Sequence, residues 1–144
     1  MRNKSLTSLL AGLVIGALPA AGLAIERTPA PDGAAVAILS PADGDVVSNP
    51  VTVQFGLSGM GVAPAGVEHD NTGHHHLLIN VDELPDMNAA IPSDDNHRHF
   101  GGGQTQVTLE LPPGEQTLQI LLGDWQHLPH DPPILSESVT VTVQ

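Results

Sequence analysis

Apolar and polar residues alternate in short runs along most of the chain. Val51, Val53, Phe55 and Leu57 alternate with Thr52, Gln54 and Gly56, the period of a strand with one buried face. Val36 and Ile38 lead into Ser40-Pro41-Ala42-Asp43-Gly44, which reads as a strand entering a turn. Leu77, Ile79 and Val81 share a face, as do Val107, Leu109 and Leu111. Leu118, Ile120 and Leu122 form another such set, and Val139, Val141 and Val143 close the chain. No segment sustains a helical period. About seven short strands in one domain predict an all-β fold, a single antiparallel immunoglobulin-like sandwich.

The connections add geometry. Pro112-Pro113-Gly114 separates the alternating runs 104–111 and 115–123, which are expected to pair as a hairpin. Gln104 and Gly123 would then lie side by side at its open end. His97 and His99 precede the first run, and His127 and His130 follow the second, so both pairs are expected at one end of the sandwich. Two long stretches without periodicity, 58–73 and 83–103, exceed what a structural connection needs.

The first residues read as an export signal peptide over 1–24. Arg2 and Lys4 precede the apolar run from Leu6 to Leu18, and Gly22-Leu23-Ala24 offers a small-x-small cleavage site. That run is too short to span a bilayer comfortably, and no membrane insertion is expected after cleavage. Residues 25–35 are Pro- and Ala-rich and read as a flexible linker, followed by one domain over 36–144. The chain is therefore expected to be periplasmic or secreted. It has no cysteine, which excludes a disulfide, a thiolate metal site and lipoprotein anchoring.

Charge narrows the partners. Sixteen acidic residues face four basic ones, a net charge of −12. Loss of Arg2 and Lys4 with the signal would leave two basic residues against sixteen, or −14. Such a field repels nucleic acid and anionic membrane and attracts cations. Most of these carboxylates need no role beyond solubility.

Histidine supplies the chemistry. All eight histidines lie in the 62 residues from His69 to His130. Alternation places His74 and His76 on one face of a strand, about 6.6 Å apart, a spacing from which two imidazoles can converge on one ion. Solvent-facing strand polars would read the same way. His75 points to the other face, in phase with Leu77, Ile79 and Val81, as a buried histidine with a hydrogen-bond partner. His97 and His99 repeat the spacing beside Asp94, Asp95 and three glycines, and His127 and His130 sit in a proline-stiffened loop. The expected metal ligands are thus His74, His76, His97, His99, His127 and His130. His75, Asp95, Asp124 and Asp131 are candidates to hydrogen-bond and orient those ligands.

Gly73-His74-His75-His76-Leu77-Leu78, His97-x-His99-Phe100-Gly101-x-Gly103-Gln104-Thr105, Leu111-Pro112-Pro113-Gly114 and Gly123-Asp124-x-x-His127-x-Pro129-His130-x-Pro132-Pro133 resemble a bacterial family of exported domains. The resemblance covers roughly His69 to Gln144. That family is a domain of unknown function, so the resemblance joins the histidine motifs into one signature and supplies no activity.

Three functions remain open. The first is a module that buffers, carries or senses a divalent transition metal. Imidazoles without thiolate suit Cu(II), Zn(II) or Ni(II); Cu or Zn is the expected ion, and intrinsic affinity favours copper. The second is a small copper–zinc metalloenzyme of dismutase or oxidase type, an analogy at fold level only. The third is an envelope adhesion or accessory sandwich with structural histidines and a protein partner in the envelope. With Phe55, Phe100 and Trp125 as the only large aromatics, stacking on carbohydrate is disfavoured.

Overall fold

A computed structural model describes residues 25–144, so the expected signal peptide lies outside the described residues. Among the described residues nine strands follow one another: β1 (Ala35–Ser40), β2 (Val46–Val47), β3 (Val51–Ser58), β4 (Gly61–Val62), β5 (Thr72–Ile79), β6 (His97–His99), β7 (Gln106–Leu109), β8 (Gly114–Gly123) and β9 (Val139–Val143). Among the described residues there is no helix, and the chain is all-β. The smaller sheet has the order β1-β3-β7, antiparallel throughout. The larger runs β2-β9-β8-β5-β4, with β6 also paired to β5. Its long pairs are antiparallel, and only the two-residue β2 and β4 pair in parallel.

The two sheets enclose the main core. Val53 and Phe55 of β3 meet Leu77 and Ile79 of β5, Leu118, Ile120 and Leu122 of β8, and Val141 of β9. A second, smaller cluster lies on the other face of the larger sheet, where Leu78 and Leu121 pack with Ile91, Val81, Met87 and Leu135. β5 and β8 are therefore covered on both faces, which explains their nearly unbroken apolar character. Ile91 and Met87 belong to the long aperiodic stretch; its work is to cover this outer face.

The hairpin expected across Pro112-Pro113-Gly114 does not form. β7 pairs with β3 in the smaller sheet, while β8 runs between β5 and β9 in the larger one. The chain changes layers at the two prolines, which have no N–H to donate to a ladder. Asn49 fixes the crossing, donating from Nδ2 to the carbonyl of Leu111 (2.8 Å) and accepting its N–H (3.0 Å). Pro-Pro-Gly marks a hairpin and a crossover equally well, so pattern alone could not separate them. Val81 also departs from expectation. Asn80 takes a left-handed conformation (φ 53°), and Val81 then joins the outer cluster instead of the face of Leu77 and Ile79.

Within the expected linker, residues 27–30 bond to the loop after β8. Ala30 N–H donates to Asp131 (2.8 Å), and Asp131 N–H donates to Thr28 (2.9 Å).

The β3–β7 pairing is testable because Thr52 and Thr108 are register partners with hydroxyls 2.8 Å apart. A Thr52→Cys/Thr108→Cys variant, the only cysteines in the chain, is expected to form an intramolecular disulfide under mild oxidation. Thiol titration reads the result. Persistent free thiols in the folded protein would contradict this topology.

Candidate metal centre

β5 holds the centre because it is a middle strand with partners on both edges. His74, His76 and Leu78 face outward in register with Gly123, Leu121 and Gln119 of β8, while His75, Leu77 and Ile79 face the main core. On the other edge, His99 of β6 is the register partner of His76, and His97 that of Leu78. Phe100 N–H extends the pairing by donating to the carbonyl of His75 (3.1 Å). The loop after β8 folds back to bring His127 over the same patch.

The result is a cluster of four imidazoles. Ring centroids are 4.8 Å apart for His74–His76, 5.0 Å for His74–His99, 5.1 Å for His74–His127 and 5.0 Å for His76–His99. The remaining separations are 4.8 Å for His99–His127 and 6.2 Å for His76–His127. His74, His99 and His127 each present a ring nitrogen, and these atoms lie within 4.8 Å of one another, so the trio could hold a metal ion. His74 and His76 are fully buried, whereas His99 and His127 are half-buried and leave the approach open.

Two glycines make room for these rings. A Cβ at Gly123 would stand 2.7 Å from Cε1 of His76, and one at Gly101 would overlap Cε1 of His99. The glycines after His99 are expected from the sequence to let the backbone fold tightly against the site; the role of Gly123 was not legible there. No sequence signal singled it out, since a glycine also lies within four residues of His69, His75 and His97, which stay outside the cluster. His127 itself has a positive φ of 69°, a conformation uncommon outside glycine, though histidine is among the side chains enriched there. An imidazole kept at such a position points to a use for the ring.

Burial, with the neighbouring imidazoles, keeps His74, His76 and His99 neutral. Burial, with smaller contributions from His127 and His99, pushes His74 down to about 4, and Asp124 acts against it. Burial and the three neighbouring imidazoles push His76 down to about 3, with the backbone of His74 acting against it. Burial and His127 also lower His99. At neutral pH each of these rings offers one lone pair beside one N–H. Both nitrogens of His74, both of His76 and Nε2 of His99 are buried with no hydrogen-bond partner among the described residues.

The other candidates lie elsewhere. His97 faces the same way as His99 but one step further along β6, and its Nδ1 is 2.8 Å from Asp94 Oδ1. That contact holds the Asp94 carboxyl below its ordinary range. His130 is buried with Nε2 3.3 Å from the carbonyl of Thr72, and its Cε1 would stand 3.0 Å from a Cβ at Gly73. It fills the space that glycine leaves, outside the cluster; burial lowers its pKa. His75 packs on Phe55 at 5.1 Å within the main core. Its ring nitrogens lack the hydrogen-bond partner expected for them, and burial lowers its pKa, opposed in part by the backbone of Gln104. Asp95 is exposed beside Arg98 at 3.4 Å, and Asp131 pairs with Arg27 at 3.6 Å. Asp124 alone among these carboxylates is buried, 1% exposed, and it braces the His127 loop. Its Oδ1 accepts the N–H groups of Gln126 and Leu128 (each 2.9 Å) and its Oδ2 the hydroxyl of Thr28 (2.7 Å).

The lowered histidines fix the sign of a pH effect on the metal-free protein. Below 6.5 the unfolded chain takes up protons that folded His74 and His76 refuse until about 4 and about 3. Stability is thus full above 6.5 and falls as the pH drops towards 3–4. Thermal melts of the metal-free protein are expected to move to lower temperature across that window, less steeply for His76→Gln. Equal slopes for the two proteins would contradict the burial of His76. Gly123→Ala is expected to destabilise by about 1–3 kcal/mol in urea unfolding, since the added methyl overlaps His76. A neutral effect would show that the ring is not held there.

Comparison with curated proteins and with solved structures finds no match. Residues 53–144, which contain all four clustered histidines and both glycines, match the family model described as DUF4399, a domain of unknown function, and the chain belongs to that family.

Proposed function

We propose that this protein is an exported domain that binds one divalent transition-metal ion through His74, His76, His99 and His127, for buffering, transport or sensing. One observation carries the reading: five buried ring nitrogens of this cluster have no hydrogen-bond partner among the described residues. A buried polar atom left unsatisfied costs about 1–3 kcal/mol, so five would cost about 5–15 kcal/mol, comparable with the whole stability of a small domain. His75 in the main core is unpartnered too; what sets the cluster apart is that its ring nitrogens converge, those of His74, His99 and His127 lying within 4.8 Å of one another. A metal ion takes one lone pair from each ring, which accounts for three of the five atoms and offsets about 3–9 kcal/mol.

Spacing bears on the ion. Four imidazoles bound tetrahedrally at ~2.0 Å metal–nitrogen distance place ring centroids about 5 Å apart, whereas a square plane sets two pairs about 6.4 Å apart. Five of the separations here are 4.8–5.1 Å and one is 6.2 Å. This favours Zn(II) on geometry, while Cu(II) retains the advantage of intrinsic affinity. Export rests on the amino-terminal pattern, and an oxidising compartment suits a site built without thiolate. The two sheets around one core support the finer reading of an immunoglobulin-like sandwich.

Calorimetric titration of the untagged protein with Zn(II) and Cu(II) tests the proposal. One ion per chain is expected with sub-micromolar affinity. His99→Ala and His127→Ala should each weaken binding by about 100-fold or more, at or beyond the top of the roughly 10–100-fold that outer hydrogen-bond partners command. His97→Ala should stay near the wild type. The reading fails if the wild type binds no metal at neutral pH, or if His97→Ala costs as much as His99→Ala.

A further inference from the structure

We propose that residues 27–30 form a strap that positions the metal ligand His127, acting through the buried carboxylate of Asp124; this rests on the metal reading above. His127 lies on a loop and not on a strand, with a left-handed backbone (φ 69°) that does not hold itself. Its carbonyl accepts the N–H of Ile91 (2.9 Å), and its own N–H donates to the carbonyl of Asp124 (2.9 Å). Asp124 Oδ1 receives the N–H groups on either side of the ligand, those of Gln126 and Leu128, each at 2.9 Å. One carboxylate thereby sets the direction in which the His127 ring leaves the backbone.

A carboxylate only 1% exposed stays in place when its oxygens are satisfied. Among the described residues its hydrogen-bond partner from outside the loop is Thr28, whose hydroxyl donates to Oδ2 at 2.7 Å. The strap is fastened along its length. Arg27 donates to the carbonyls of Pro129 (3.0 Å) and His130, and pairs with Asp131 at 3.6 Å. Ala30 and Thr28 exchange backbone bonds with Asp131 at 2.8 and 2.9 Å. These bonds reach both ends of the loop that carries His127 and none touches the ring, so the strap acts on where the ligand sits. Coupling of this kind is reciprocal: what tightens the strap tightens the metal, and metal binding tightens the strap by the same factor.

The test is Thr28→Val, which keeps the side-chain shape and removes the donor, with Thr28→Ser as the conservative rescue, both in the full untagged chain. Co(II) is the probe because its visible absorption reports coordination number and geometry. Thr28→Val is expected to bind Co(II) about 10-fold more weakly, with an altered visible spectrum. The Gln126 and Leu128 amides of the metal-free variant should exchange faster, and Thr28→Ser should restore all three readouts. Wild-type affinity in Thr28→Val, or weaker binding with unchanged spectrum and exchange, would overturn the strap. If the wild type binds no Co(II), the metal reading falls and with it the ligand role of His127. The exchange comparison then still decides whether the strap holds the loop, since unchanged amides would show that it does not.

Discussion

Burial of β5 on both faces is the constraint on which the site depends. A strand between two neighbours, with the main core below and a second apolar cluster above, has no exposed side for a polar residue. This one nevertheless carries three consecutive histidines, each 0% exposed. Main-chain pairing on both edges fixes where those side chains point, and Gly123 opposite leaves room for the His76 ring. A buried imidazole without a partner for its nitrogens carries a cost that a hydrogen bond or an ion reduces. For His74 and His76 no hydrogen-bond partner exists among the described residues.

The four rings divide into a floor and a rim. His74 and His76 are set by a long central strand and move only if the larger sheet moves. His99 and His127 come from a three-residue strand and a loop, and they are the half-buried pair. Local stability follows the same division, since short edge elements open more readily than central strands. An ion would enter and leave past His99 and His127, and its affinity would depend on how firmly those two are held.

Much of this was legible in the sequence. The alternation of residues 51–57 and 139–143 located β3 and β9, and the His-x-His spacing put His74 and His76 on one face. His99 and His127 do come together, but by a different route from the expected hairpin. His99 reaches the cluster by pairing with His76, and His127 by the fold-back of its loop. That route was hidden because β6 is too short to show a period and because Pro-Pro-Gly does not reveal a change of layer. The division of the six candidates was hidden too. His97 and His130 share their neighbours' spacing, and only register and the space beside Gly73 set them apart. Thr28 and Arg27 gave no signal at all, since hydrogen bonds to distant backbone and to Asp124 leave no pattern in a run of prolines and alanines.

The most direct test of the central claim is X-ray absorption on the protein loaded with one equivalent of Zn(II), which counts imidazole nitrogens around the ion. Coordination by four histidines, or by three with one water, at about 2.0 Å is the predicted result. A shell made only of carboxylate and water oxygens would contradict it, placing any bound ion on the acidic surface and leaving the buried imidazoles without the partner this account assigns them.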